Sequence, residues 1–135
     1  MVILAVDDDP EDFEFFTEAV MDIDKSIVVL TATNGQQALD LLNNLIIAPD
    51  FIFLDINMPV MDGRKCLEAI RGNPRFRDIR VVMYSTTTNK EEIRQCKLMN
   101  AGFLVKPDKF STLVKSLSFI LGYSTEKTKY IFLVL

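Results

Sequence analysis

The sequence Val2-Ile3-Leu4-Ala5-Val6-Asp7-Asp8-Asp9 is an apolar run that ends in three acids, and a second run, Phe51-Ile52-Phe53-Leu54, ends in Asp55. Continuous apolar runs of this length are typical of strands in a parallel sheet that is buried on both faces. The ligand site of such a sheet lies beyond the carboxyl ends of its strands. We therefore expect Asp7, Asp8 and Asp55 to meet at one edge of the sheet.

Carboxylates held close together repel one another unless their pKa values rise or a cation neutralises them. An oxygen-rich site with few other ligands suits Mg²⁺, so these acids predict a magnesium site. Acids that follow strands can also simply cap helices. We favour that simpler role for Asp9, because Asp9-Pro10 has the pattern of an N-cap followed by proline at the first helical position.

The composition limits both fold and function. The chain has 135 residues, of which 49% are hydrophobic, enough for one domain with a substantial core. Its net charge of −4 argues against nucleic acid as a partner, because that interaction needs a basic face. The sequence contains no histidine. This excludes Ser-His-Asp and Cys-His catalysis, histidine-ligated zinc and a phosphohistidine on this chain.

The two cysteines, Cys66 and Cys96, lie in predicted helices and lack CxxC spacing. No secretory signal is evident, so we expect reduced, buried thiols in a cytoplasmic protein. There is also no apolar stretch of the roughly 18 residues needed to span a bilayer. We therefore expect no membrane partner.

Apolar runs alternate with segments of helical periodicity along the chain. We predict strands at 2–6, 27–31, 51–54, 80–84 and 102–105, and helices at 10–22, 35–45, 63–71, 90–99 and 109–121. Right-handed crossovers then give a flavodoxin-like α/β fold, a doubly wound parallel sheet of five strands in the order 2-1-3-4-5. We expect Gly122 to end the last helix and residues 72–78 to form a polar surface loop.

Three further polar residues follow predicted strands at the same edge. Asn57, in the loop after Asp55, can offer its main-chain carbonyl to a metal. Ser85 follows the fourth strand and Lys106 the fifth. Alone, each would be an ordinary loop residue. Beside the acids, the Lys106 ammonium could pair with Asp55 or with an anion that Asp55 carries.

Four motifs thus occur in order after successive strands: Val6-Asp7-Asp8, Leu54-Asp55 through Met58-Pro59 to Asp62-Gly63, Ser85, and Lys106-Pro107. Over about residues 1–121 the sequence resembles the receiver domains of two-component response regulators, most closely the single-domain, chemotaxis-type members. The resemblance implies that Asp55 accepts a phosphoryl group. It also implies that Asp8, Asp55 and the Asn57 carbonyl ligate Mg²⁺ directly, and that Asp7 helps through water.

The same resemblance assigns the remaining roles. Ser85 would bond the phosphoryl group, Lys106 would pair with one of its oxygens, and the Lys106–Pro107 peptide would be cis. Phe103 would be the aromatic switch residue that turns inward, although it lacks the hydroxyl of the tyrosine common at that position. The phosphoryl donor would be a sensor histidine kinase or a histidine phosphotransfer protein. With no output domain expected, the response would come from a downstream protein that the sequence does not identify.

This interpretation describes a phosphorelay acceptor that assists its own phosphorylation and dephosphorylation, not an enzyme. A phosphatase of the haloacid-dehalogenase type also uses a strand-end aspartate with Mg²⁺, but it needs a second acid where this chain has Asn57. A flavodoxin-like flavin binder needs a first loop that wraps a phosphate, and Asp7-Asp8-Asp9 would repel it. A degenerate receiver that acts only as an interaction module stays open as an alternative.

The predicted receiver domain covers residues 1–122, and the tail, 123–135, has no counterpart in that family. Its last six residues, 130–135, are apolar and favour a strand. Such a segment either packs on its own domain or adds a strand to another chain. We favour pairing between two chains, which would make the protein a homodimer through the tail.

Overall fold

A computed structural model describes residues 1–132. In this part of the chain, strands and helices alternate in the order β1 (Val2–Val6), α1 (Pro10–Ile23), β2 (Val28–Ala32), α2 (Gly35–Asn44), β3 (Phe51–Leu54), α3 (Gly63–Gly72), β4 (Arg80–Ser85), α4 (Lys90–Leu98), β5 (Gly102–Val105), α5 (Phe110–Ile120) and β6 (Ile131–Phe132). The predicted elements are all present, and their bounds differ from the prediction by one residue or none.

The strands form one sheet in the order β2-β1-β3-β4-β5-β6. The first five are parallel and have the predicted order 2-1-3-4-5, and β6 is added antiparallel to β5. Alternate residues of β1 face opposite layers: Ile3 packs with α1 and α5, whereas Leu4 packs with α2, α3 and α4. The sheet is therefore doubly wound, and the core lies on both of its faces.

Side-chain caps fix the helix starts. Asp9 accepts a hydrogen bond from the Glu11 amide at 2.9 Å, as predicted for the residue before Pro10. Asp62 caps α3 in the same way, by accepting from the Lys65 amide. At the other end of the domain, Gly122 has a φ of 86°, which suits glycine and ends α5 as expected.

The segment after α3 is not the simple surface loop that we predicted. Phe76 and Ile79 are buried in the core. The Phe76 amide donates to the Asn73 carbonyl at 2.9 Å and the Ile79 amide to the Phe76 carbonyl at 3.0 Å, so the segment forms turns that let both apolar side chains pack inside. Arg71, near the end of α3, donates to the carbonyls of Met99, Ile79 and Asn100, at distances of 2.8, 2.8 and 3.0 Å. One guanidinium therefore joins α3 to the segments before β4 and β5.

The tail packs on its own domain, which is the alternative to the pairing between chains that we favoured. In β6, Ile131 pairs with Leu104 of β5, and the Val105 amide donates to the Tyr130 carbonyl at 2.9 Å. The reason is that β5 would otherwise be a sheet edge with unpaired amides, within reach of the segment that follows α5. Residues 133–135 of the predicted strand lie outside the described part of the chain.

Both cysteines, Cys66 and Cys96, are buried free thiols, as expected. Burial raises the pKa of the Cys66 thiol to about 12, which leaves it protonated and unreactive. Within residues 1–132, no helix has the length and apolar character needed to cross a membrane.

Candidate functional site

The strand-end acids meet at the carboxyl edge of the sheet. The Asp7 amide donates to the Ala32 carbonyl at 3.0 Å, and the Asp55 amide donates to the Val6 carbonyl at 2.9 Å. These bonds continue the parallel ladders past the strands. Asp7, Asp8 and Asp55 each present a carboxylate oxygen within 4.8 Å of the others. Asp7 and Asp55 are buried, whereas Asp8 is exposed.

Lys106 reaches this cluster from the end of β5. Its Nζ lies 2.8 Å from Asp7 Oδ2, 2.8 Å from Asp12 Oδ2 and 3.7 Å from Asp55 Oδ2. The Lys106 amide donates to the Ser85 carbonyl at 2.8 Å, which fixes the start of the loop. The ammonium is therefore hydrogen-bonded to Asp7 and Asp12, and it lies near Asp55 without bonding to it.

Burial dominates the electrostatics of Asp55. It raises the pKa of the Asp55 carboxyl to about 6; Lys106 opposes this rise and the charge of Asp7 adds to it. Burial by itself would lower the pKa of Lys106, but hydrogen bonds to Asp12 and Asp7 and the charge of Asp55 raise it instead. Lys106 therefore stays charged, yet it does not fully compensate the acids around it.

The donor set fits a hard divalent cation. Three carboxylates converge on one point, and oxygen is the ligand that Mg²⁺ prefers. Burial, together with the charge of Asp7, holds the pKa of Asp55 above its ordinary value although Lys106 lowers it. A cation bound by Asp8 and Asp55 would favour the ionised carboxylate. Asn57 lies two residues beyond Asp55, with an exposed side chain. It remains the predicted source of a carbonyl ligand.

The loop after Asp55 is held by a close contact with α3. A Cβ added to Gly63 would overlap the Asp55 carbonyl oxygen, so only glycine fits there. The Gly63 amide donates to the Ile56 carbonyl at 2.8 Å. Met58 is buried, and Val60 has a φ of 71°, which is rare for a β-branched residue. The backbone around Asp55 is therefore tightly constrained.

Comparison with known proteins identifies the family. Residues 3–118 match the family model of the response regulator receiver domain. The chain belongs to this receiver domain family. This confirms the resemblance of the sequence motifs and makes the protein a receiver of two-component signalling.

Curated relatives of this receiver are considerably longer proteins. It is 34% identical over 119 residues to a protein-glutamate methylesterase/protein-glutamine glutaminase of Colwellia psychrerythraea, a match that covers 84% of this chain and 29% of that protein. It is 31% identical over 116 residues to the nitrate/nitrite response regulator protein NarL of Escherichia coli, covering 85% and 52% respectively. The chain thus spans about half, or less, of the length of these relatives.

Solved structures of similar length share the receiver fold. The phosphorylated cyanobacterial phytochrome response regulator RcpA aligns with a TM-score of 0.80 at 28% identity, over 91% of this chain and 95% of that one. The chemotaxis response regulator CheY4 of Vibrio cholerae aligns with a TM-score of 0.74 at 30% identity, over 88% and 97%. These similarities confirm the flavodoxin-like receiver fold.

The other predicted residues of the receiver lie on neighbouring strands. Ser85 is buried at the end of β4, and its Oγ accepts a hydrogen bond from the Thr87 amide at 3.4 Å. Phe103 is fully buried on β5. One implied feature is wrong: residues 1–132 contain no cis peptide, so the Lys106–Pro107 bond is trans. The trans form of such bonds is favoured by about 0.5–1 kcal/mol.

Sequence reasoning missed Asp12, which binds Lys106 as closely as Asp7 does. An acid in the first turn of a helix is ordinary, because it interacts favourably with the helix dipole. The available signal was the position of Asp12 in the first turn of α1, which begins directly after the acidic edge. That position alone did not indicate that its partner would be Lys106, directly after β5.

Proposed function

We propose that this receiver is a phospho-accepting switch that takes a phosphoryl group onto Asp55. The donor would be the phosphohistidine of a sensor histidine kinase or of a histidine phosphotransfer protein. The observation that carries the proposal is the buried Asp55 carboxylate at the sheet edge, with two further acids and the Lys106 ammonium beside it. A much longer protein, the sensor histidine kinase CheAY of Helicobacter pylori, is 29% identical to this chain over 118 residues, a match that covers 84% of this chain and 14% of that protein.

Mg²⁺ is the cofactor that we propose, held by Asp8, Asp55 and the Asn57 carbonyl, with Asp7 acting through water. When bound, the ion would neutralise carboxylate and phosphoryl oxygen charge. The response regulator Rcp1 supports a divalent metal in this family. It has been solved in a Mn²⁺-bound form and aligns with a TM-score of 0.80 at 26% identity, over 94% of this chain and 99% of that one.

Phosphoryl transfer depends mainly on in-line positioning of the reacting atoms and on stabilisation of the charge on the phosphoryl oxygens. A deprotonated Asp55 oxygen attacks the phosphorus in line with the bond to the donor imidazole. The new O–P bond forms as the N–P bond breaks, and the electron pair of the broken bond returns to the imidazole nitrogen. Lys106 would then pair with a phosphoryl oxygen. The domain acts as a signalling module, and its assistance to its own phosphorylation and dephosphorylation belongs to this proposal.

The signal would follow from the added charge. An aspartyl phosphate brings new hydrogen-bond acceptors to the edge, and the hydroxyl of Ser85 would donate to one of them. Ser85 and Phe103 lie on the neighbouring strands β4 and β5. Because Phe103 has no hydroxyl, a response there would depend on packing and not on a hydrogen bond. The downstream partner would be a protein that recognises this change.

Mass spectrometry after treatment with acetyl phosphate tests the proposal. We expect one phosphoryl group on the wild type with Mg²⁺ and none in Asp55→Asn. Asp40→Asn, which changes an exposed acid on α2, serves as the matched control and should be labelled normally. Labelling that persists in Asp55→Asn, or that is equally fast in excess chelator, would contradict the assignment of Asp55 and of the metal.

A further inference from the structure

Asp12 lies outside the strand-end motifs, yet it contacts the lysine at the centre of the site. Its Oδ2 lies 2.8 Å from Lys106 Nζ, the same distance as Asp7 Oδ2. Asp12 is the third residue of α1, and the first turn of this helix is fixed by the Asp9 cap and by Pro10. The carboxylate is therefore presented to Lys106 from a rigid element.

The Lys106 ammonium has three N–H donors and three neighbouring acids, but it is hydrogen-bonded to only two of them. Asp7 and Asp12 are within hydrogen-bond distance, whereas Asp55 Oδ2 lies at 3.7 Å and is not. We expect the ammonium to shift toward Asp55 when it pairs with a phosphoryl group there, because the group adds negative charge on that side of the site. A shift in that direction lengthens at least one of the two hydrogen bonds that now hold the ammonium to Asp7 and Asp12.

The exposure of the Asp7 and Asp12 side chains indicates which of the two hydrogen bonds to Lys106 breaks. The side chain of Asp12 is 36% exposed and that of Asp7 is 6% exposed. Water can therefore solvate the Asp12 carboxylate when Lys106 leaves it. Asp7 is also fixed by the Asp9 amide, which donates to its Oδ1 at 3.0 Å. The contact with Asp12 is the one that breaks at lower cost.

We propose that Asp12 is a positioning residue that holds the Lys106 ammonium away from Asp55 in the unphosphorylated receiver. Asp12 thereby slows the movement of Lys106 to the incoming phosphoryl group, and with it the labelling of Asp55. This inference rests on the proposed function of Asp55. A purely structural Asp12, which only stabilises the start of α1, would affect folding but would not act through Lys106.

The first experiment examines the unphosphorylated full chain. In protein labelled with ¹³C-lysine, the ε-CH₂ signal of Lys106 reports the surroundings of its ammonium. Asp12→Asn should shift this signal, whereas Glu11→Gln, which removes the neighbouring exposed charge on the same turn, should leave it in place. An unchanged Lys106 signal in Asp12→Asn overturns the proposal.

The second experiment measures the rate of Asp55 labelling by acetyl phosphate at saturating Mg²⁺. Asp12→Asn should raise the rate about 2- to 5-fold, the effect expected of one partly exposed ion pair. Asp12→Glu should return the rate toward that of the wild type. In a Lys106→Met background, Asp12→Asn should have no effect, because the proposed coupling needs the ammonium.

The proposal is overturned if Asp12→Asn does not raise the labelling rate. It is also overturned if Asp12→Asn changes that rate by the same factor in the wild-type and Lys106→Met backgrounds. Melting temperatures of all variants identify any loss of folding. Absence of labelling in the wild type refutes the proposed function of Asp55, and with it the effect of Asp12 on the rate. In that case the lysine signals still show whether Asp12 holds Lys106, so the two failures are distinguishable.

Discussion

Phe132 lies directly opposite Phe103 in the antiparallel register between β6 and β5. Phe103 is fully buried, and Phe132 packs against the same core on the α4 side of the sheet. Because Phe103 is the proposed switch residue, the strand added by the tail contacts the segment that we expect to respond to phosphorylation.

Shortening Ile131 to alanine should destabilise the domain. Ile131 is only 2% exposed, and removal of a buried isoleucine side chain commonly costs about 2–5 kcal/mol. At the end of a two-residue strand we expect the free energy of unfolding to fall by about 2 kcal/mol, measured by urea denaturation. Lys127→Ala, at an exposed position of the same tail, should change it by less than about 0.5 kcal/mol. Equal stability of both variants would mean that β6 does not pack on its domain in solution.

Asp55 should make the metal-free receiver less stable as the pH rises. The pKa of this carboxyl is raised from 3.8 to about 6, mainly by burial. Between these values the folded state binds more protons than the unfolded state, so stability falls with increasing pH and the loss is complete above about pH 6.

Asp55→Asn should remove this dependence. In excess chelator its stability should match that of the wild type near pH 4 and exceed it by roughly 1–3 kcal/mol at pH 7.5, since one pKa unit corresponds to about 1.4 kcal/mol. Thermal melts across this pH range provide the measurement. A constant difference between the two proteins at every pH would contradict the role of burial.

Asp8→Asn should separate metal binding from stability. We expect the affinity for Mg²⁺ to fall at least about tenfold in calorimetric titrations, because even residues that only support metal ligands commonly contribute 10- to 100-fold. Without metal, relief of repulsion among the acids should raise stability by roughly 0.5 kcal/mol. Unchanged Mg²⁺ affinity together with a lower melting temperature would show that these acids are not the metal site.

Lys106→Ala and Ser85→Ala should separate chemistry from signalling. Without the ammonium, the phosphoryl charge loses its partner, so Asp55 would still be labelled while the response of β4 and β5 is lost. Ser85→Ala should show the same loss in milder form. Amide chemical shifts before and after phosphorylation measure the response. A full wild-type response in phosphorylated Lys106→Ala would disprove the proposed coupling.

Arg71→Lys should be more damaging than its conservative nature suggests. Arg71 donates to carbonyls on two separate segments, and an ammonium cannot reproduce this planar fork. We expect stability to fall by about 2–3 kcal/mol in urea denaturation, because carbonyls are left unpaired. The exposed Arg77 offers the comparison. Arg77→Lys should be nearly neutral, and a similar loss in both variants would exclude a special role for Arg71.

The strands could be predicted because burial on both faces leaves continuous apolar runs, as in Phe51–Leu54. The site acids could be predicted because parallel strands end at one edge, which brings Asp7 and Asp55 together. Contacts between distant segments could not. Asp12 and Lys106 are 94 residues apart, and Arg71 bonds to carbonyls up to 29 residues away. Nothing local marks either side chain as different from an ordinary surface residue.

The position of the C-terminal tail could not be predicted either, because it depends on contacts with a distant strand. Its strand propensity was visible in the sequence, but propensity does not specify a partner. Only the folded sheet shows that β5 presents an edge within reach, and that a hydrogen bond between Ser116 and Thr128, whose hydroxyl oxygens are 2.7 Å apart, holds the connecting segment against α5.

The absence of a side chain at Gly63 has a consequence for protein engineering. The first turn of α3 rests on the Asp55 carbonyl so closely that the two cannot be separated without moving the proposed phospho-acceptor. Chimaeras with other receivers should therefore have their junctions before Asp55 or after Gly63. A junction inside this segment would pair a foreign helix start with a native acid, and the distance between them would no longer be preserved.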